Sequence, residues 1–128
     1  MPDGESAPIV LVAAREELLN KLRNALADTV GLLHAETHRD AITLLERLRS
    51  EIGLAIVELE HPDGWDLIEE LTRTPKSLKV IATTSADPAP VLGEIMDLGI
   101  DALVPETMAP EEWRKTVQAV LRHNELPE

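Results

Sequence analysis

The sequence predicts a doubly wound α/β domain, five parallel strands alternating with five helices in the order 2-1-3-4-5. Three observations carry this. Continuous apolar runs at 9–12 and 54–57, and a mostly apolar one at 78–82 broken only by Lys79, read as buried strands. Amphipathic stripes with a helical period fill the intervals between strands. Cap and turn residues punctuate the joints. The most apolar strands, one, three and four, belong in the centre, and right-handed crossovers set helices on both faces of the sheet.

Residues 1–7 read as a flexible lead, 8–124 as the domain and 125–128 as a tail. After the first strand, a helix over 15–27 carries the stripe Leu18, Leu19, Leu22, Ala25 and Leu26, with Glu17 and Lys21 as a supporting i,i+4 pair. Residues 30–35 form a second, less apolar strand interrupted by Gly31. Thr37, with Asp40 three residues later, starts a helix to Arg49 that buries Ala41, Ile42, Leu45 and Leu48.

The third strand ends at Glu58, and Pro62, Asp63 and Gly64 break it into a loop. Asp63 is placed to cap the next helix and Asp66 to complement its dipole. Trp65, Ile68 and Leu71 share one face of that helix, which stops before Pro75. The fourth strand, 78–82, runs into the polar cluster Thr83, Thr84 and Ser85. Asp87 caps a short helix with Pro88 at its first position, Leu92, Ile95 and Met96 inward, and Gly99 at its end. Residues 102–104 make a short fifth strand. Pro110 opens the last helix, with Trp113, Val117, Val120 and Leu121 on its buried stripe.

A chain of 128 residues makes one domain with a sizeable core. With no Phe or Tyr and only two Trp, that core is aliphatic. No apolar run approaches the ~20 residues needed to span a bilayer. The start, Met-Pro-Asp-Gly-Glu-Ser, lacks the basic and apolar regions of a signal peptide, so a cytoplasmic location is expected. Absence of cysteine excludes disulfides and thiolate metal sites. A net charge of -12 argues against binding nucleic acid through this domain. His34, His38, His61 and His123 share no ligand spacing with acids, and no metal or other cofactor is expected.

In an open parallel sheet, chemistry sits at the carboxyl ends of the strands. Those ends hold Ala13 and Ala14, then Glu58, then Thr83 to Ser85, then Glu106. From about Ile9 to His123 the chain resembles the receiver domain of two-component response regulators. The resemblance rests on Glu-Leu-Glu-His-Pro-Asp-Gly at 58–64, Val-Ile-Ala-Thr-Thr-Ser at 80–85, Leu-Gly-Ile-Asp at 98–101 and Pro-Glu-Glu-Trp at 110–113. It implies a flavodoxin-like (βα)5 sandwich that accepts a phosphoryl group from a histidine kinase. In that family an Asp after strand three is phosphorylated, two acids after strand one hold Mg²⁺, a Thr or Ser after strand four meets the phosphoryl group, and a Lys after strand five pairs with it.

Carried over by position, most of this machinery is missing. The paired acids fall on Ala13 and Ala14, which offer no oxygen to a hard cation. The phosphoacceptor position holds Glu58, the Lys position Glu106, the following Pro is Thr107, and the aromatic switch position is Leu103; Thr84 alone keeps the family residue. Two carboxylates about 5 Å apart repel by roughly 3 kcal/mol at an effective dielectric near 20. Conventional phosphorylation is therefore not expected, and either Glu106 points to solvent or one of the pair has a raised pKa.

The resemblance thus implies a pseudo-receiver acting by protein-protein contact, with a kinase, an effector domain or a second copy. The family's usual face for this is the fourth helix, fifth strand and fifth helix, here about 88–123. Glu58 reads as a phospho-Asp mimic reaching toward Thr84, as a remnant of lost chemistry, or as part of a rewired ligand site. Asp63 and Asp66 are alternative acceptors or metal ligands on one reading and helix-capping residues on the other. Trp65 is either core or an aromatic anchor for a partner. Two other functions stand beside this one: a working phosphoacceptor that uses a non-standard acid, and a flavodoxin-like small-ligand domain. The loop 13–17 lacks the Gly, Ser and Thr that cradle a phosphate, and no nucleophile-base pair suggests an enzyme.

Overall fold

In this computed structural model, residues 9–26, 29–48, 51–60, 63–73 and 78–123 are described. The chain alternates β1 (Ile9–Ala13), α1 (Glu16–Leu26), β2 (Gly31–Ala35), α2 (His38–Leu48), β3 (Ile52–Glu58), α3 (Gly64–Arg73), β4 (Lys79–Thr84), a 3-10 turn (Ala89–Val91) leading into α4 (Leu92–Met96), β5 (Ala102–Pro105) and α5 (Pro110–His123). All four strand pairings are parallel, and the sheet order is β2-β1-β3-β4-β5, as the apolar runs predict. The expected lead 1–7, the tail 125–128, Ala27, Arg49, His61, Pro62 and the stop at Pro75 lie outside the described residues.

Alternation along the strands divides the core into two layers. Leu11, Ala13, Ala55, Val57, Val80 and Ala82 face one way and pack with α2, α3 and α4 through residues such as Ala41, Ile68 and Ile95. Val10, Val12, Leu54, Ile56 and Ile81 face the other way and pack with α1 and α5 through Leu22, Leu26, Trp113 and Val117. Trp113 is fully buried, as its place on the last helix's stripe requires. Glu58 continues the row of Leu54 and Ile56, so its side chain leaves the sheet on the α1 side.

Local signals account for the joints. Thr37 caps α2, its Oγ1 accepting from the Asp40 amide at 3.0 Å. Asp87 Oδ1 accepts from Ala89 N at 3.1 Å, but the N-cap position of the 3-10 turn is Pro88 rather than the expected Asp87. Asp63 begins α3 through its backbone: its carbonyl accepts from Leu67 N at 2.9 Å, and its φ is +66°. Gly99 closes α4 at φ +92°, a conformation that glycine adopts without strain. Asp101 ties the start of β4 to the start of β5, accepting from Val80 N at 2.8 Å while its own N–H donates to Val80 O at 2.9 Å.

Two further expectations are corrected. Ile95 is buried, but Leu92 and Met96 are exposed, at 47% and 39%. The 3-10 turn uses up residues 89–91, and the five-residue helix that follows has room for one inward row rather than two. Lys21 does not spend its charge on Glu17; its ammonium donates to the Glu106 carbonyl across the α1–α5 side of the sheet. No helix among the described residues is long and apolar enough to cross a membrane.

Candidate functional site

The carboxyl edge of the sheet brings together Ala14 and Arg15 after β1, Glu58 and Glu60 at the end of β3, Thr84 and Ser85 at the end of β4, and Glu106 after β5. Ala13 and Ala14 are both buried, and the Ala14 carbonyl accepts from His34 Nε2 at 2.8 Å. Their methyl groups offer no oxygen to this edge of the sheet.

The centre of the site is Glu58, which is completely buried. A lone carboxylate there would be heavily penalised, and the penalty is met by Arg15. The Arg15 backbone N–H donates to Glu58 Oε1 at 2.9 Å, while Nε and Nη2 donate to Oε2 at 2.8 and 2.5 Å. Both carboxylate oxygens are thereby taken by one residue. Register explains the meeting: Ala13 at the end of β1 is paired with Val57, so the loop entering α1 passes over Glu58.

Glu106 completes a triad. Arg15 Nη2 also donates to Glu106 Oε1 at 3.2 Å, and Arg15 Nη1 lies 3.7 Å from Glu17 Oε1. The Glu106 side chain is only 12% exposed, so of the two expected outcomes for this residue the solvent-facing one is overturned. Its backbone explains why: Glu106 N–H donates to Thr84 O at 2.9 Å and its carbonyl accepts from Lys21, which together hold the residue over the pocket. One oxygen from each of Glu58, Glu60 and Glu106 lies within 4.8 Å of the others. The guanidinium of Arg15 supplies the positive charge among them.

Thr84 does not reach Glu58. Its hydroxyl donates to Glu60 Oε2, and Glu60 Oε1 accepts from Ser85 N at 3.1 Å. Of the three readings of Glu58, the contact with Thr84 that a phospho-mimic would make is not seen, because Glu58 is turned to Arg15 and Thr84 is engaged by Glu60. Leu103 on β5 is half-buried against the layer shared with α4. Trp65 is likewise half-buried and packs on that layer with α3, so much of its ring belongs to the core. Asp63 and Asp66 are exposed on the surface at the start of α3.

Electrostatics divide the two central carboxyl groups. Burial by itself pushes Glu58 up, but the hydrogen bonds from the Arg15 side chain, from Glu106 and from the Arg15 backbone win and hold it at about 2. For Glu106, burial comes first, then the hydrogen bond and charge of Glu58; Arg15 opposes these without cancelling them, and the group is pushed up to about 8. Glu106 Oε2 is buried with no donor partner. A proton on that oxygen, shared toward Glu58, satisfies it. The Arg15 pKa is raised by its hydrogen bonds to Glu58 and by the same charges. Together these shifts favour one proton held between the two carboxyl groups, on the Glu106 side, beside the Arg15 guanidinium.

Arg15, Glu60 and Lys21 are the site residues that strand-end reasoning missed. The signal for Arg15 was available, since a cation two residues beyond the end of β1 must lie beside the end of β3 when those strands are parallel neighbours.

The sequence matches no protein-family model and no curated protein. The fold, in contrast, is that of response regulator receivers. A response regulator from Thermotoga maritima superposes with a TM-score of 0.78 at 20% identity, covering 90% of this chain and 98% of its own. A response regulator receiver domain protein from Methanospirillum hungatei gives 0.79 at 18%, covering 94% and 98%. A response regulator receiver domain protein from Clostridium thermocellum gives 0.81 at 15%, covering 93% and 97%. At these identities the likeness establishes the five-stranded receiver fold and leaves function to the site.

Proposed function

We propose that this chain is a receiver-type signalling module that acts by protein-protein contact and does not depend on phosphorylation. One observation carries the reading: Arg15 holds both oxygens of the residue at the phosphoacceptor position. Phosphoryl transfer needs a free carboxylate oxygen to attack, and cations to offset charge on the transferring group. Here the attacking oxygens are hydrogen-bonded and Ala13 and Ala14 offer no ligand. Glu106 stands where the receiver family has its lysine. The guanidinium replaces both metal and lysine as the resident positive charge, holding the strand ends in one arrangement.

The contact surface in this reading is the face of α4, β5 and α5, where Leu92 and Met96 are exposed together. The partner is a protein: a kinase, an effector domain or a second copy of this chain. The net charge of -12 favours a partner with a basic surface over nucleic acid. Incubation with acetyl phosphate and Mg²⁺, followed by intact mass measurement, tests the reading. The expected result is no phosphorylated species, whereas an acid-stable, hydroxylamine-sensitive adduct on Glu58, Asp63 or Asp66 would establish a working phosphoacceptor.

A further inference from the structure

We propose that Glu106 is a proton-operated switch: protonated, it closes on Glu58 and Arg15, and ionised, it turns outward and pairs with Lys21. The proposal stands on the side-chain geometry whether or not the signalling reading holds.

Three carboxyl groups, Glu58, Glu60 and Glu106, bring an oxygen each within 4.8 Å, and one guanidinium faces them. That guanidinium is unequally shared, at 2.5 Å from Glu58 and 3.2 Å from Glu106. Glu58 is held by three donors of Arg15, and Glu60 by Thr84 and Ser85. Glu106 is the loosely held member, with Oε2 buried and without a donor. As a neutral carboxyl it can give its proton to Glu58 while Oε1 accepts from Arg15. As a carboxylate it would meet Glu58 and Glu60 with no donor on Oε2 and only a share of Arg15, and Glu17 adds a further negative charge beside that guanidinium.

An exit exists. A cleft of about 230 Å³ opens beside Glu106, bounded by Glu17, Leu18, Lys21, Ser85 and Thr107. Lys21, whose ammonium already donates to the Glu106 carbonyl, is the cation within that cleft. Rotation of the ionised side chain into it exchanges a half-share of Arg15 for Lys21 and removes one negative charge from the buried cluster. The backbone need not move, because the Glu106 N–H and carbonyl bonds hold it. With burial and Glu58 pushing Glu106 up to about 8, the exchange falls in the mildly alkaline range.

Carboxyl-carbon NMR of the wild-type chain tests this directly, without relying on a variant that folds poorly. The expected result is a glutamate side chain titrating near pH 8, accompanied by shifts of the Arg15 Nε and Lys21 Nζ signals with the same midpoint. In Glu106→Gln, the carboxamide can still donate to Glu58 and accept from Arg15, so the alkaline transition disappears and the low-pH Arg15 signal persists. In Glu58→Gln, the midpoint falls by about one pH unit or more. Titration of Glu106 with the ordinary carboxylates near pH 4.5, or an alkaline transition that survives in Glu106→Gln, would overturn the proposal. So would an alkaline midpoint unaccompanied by any change at Lys21.

Discussion

Arg15 and Glu58, 43 residues apart in sequence, are joined by three hydrogen bonds that use both carboxylate oxygens and both the backbone and side chain of the arginine. Glu58 is completely buried, whereas the Arg15 side chain is about half exposed, at 48%. The pair is therefore asymmetric: arginine can find water if the pair breaks, and glutamate cannot.

Removing the arginine should cost accordingly. Arg15→Met strands a buried charge and is expected to destabilise the domain by about 3 kcal/mol, read as a drop in the urea midpoint. Adding Glu58→Gln removes the stranded charge, and the double variant should recover most of the loss. A single-variant loss indistinguishable from zero would mean that Glu58 is neutral in the fold.

The same triad gives stability a pH dependence with two limbs. Glu58 is lowered from 4.5 to about 2, so its contribution is present above pH 4.5 and is lost as pH falls from there toward 2. Glu106 is raised from 4.5 to about 8, so its contribution is complete below pH 4.5 and is lost as pH rises from there through 8. Between them the site is most stabilising near pH 4.5. Thermal melts across pH should show the alkaline decline, and Glu106→Gln should flatten that limb while leaving the acid limb in place.

Two glycines behave oppositely. A Cβ on Gly64 would come within 2.6 Å of the Glu58 carbonyl and 3.1 Å of the Leu59 carbonyl, both backbone atoms that cannot step aside. Gly64→Ala is expected to cost about 1–3 kcal/mol and to disturb the end of β3. On α4, a Cβ at Gly93 meets nothing within 4 Å, so Gly93→Ala should stabilise by about 0.5–1 kcal/mol. Denaturant melts of the two variants separate these signs.

The sheet order was legible because burial on two faces leaves unbroken apolar runs, and Val10–Val12, Leu54–Val57 and Val80–Ala82 sit where those runs put them. Glu58, Thr84 and Glu106 were legible as pocket residues because parallel topology delivers strand ends to one edge. Their pairing was less so. Arg15 reads in sequence as the first residue of a helix, and only β1–β3 register shows that it overhangs Glu58. Glu60 passes as one more surface acid until Thr84 turns to it. Leu92 and Met96 look inward on a helical wheel, but the wheel assumes a regular helix where the chain first makes a 3-10 turn.

The most direct test is an amide NMR titration with Mg²⁺ followed by beryllofluoride, which stands in for a phosphoryl group, monitored at Ala14, Arg15, Glu58, Thr84 and Glu106. If Arg15 has taken the place of the metal and closed the acceptor, none of these signals should show a saturable shift. A saturable shift centred on Glu58, with release of the Arg15 Nε signal, would contradict this: the acceptor would be open to metal and phosphoryl chemistry.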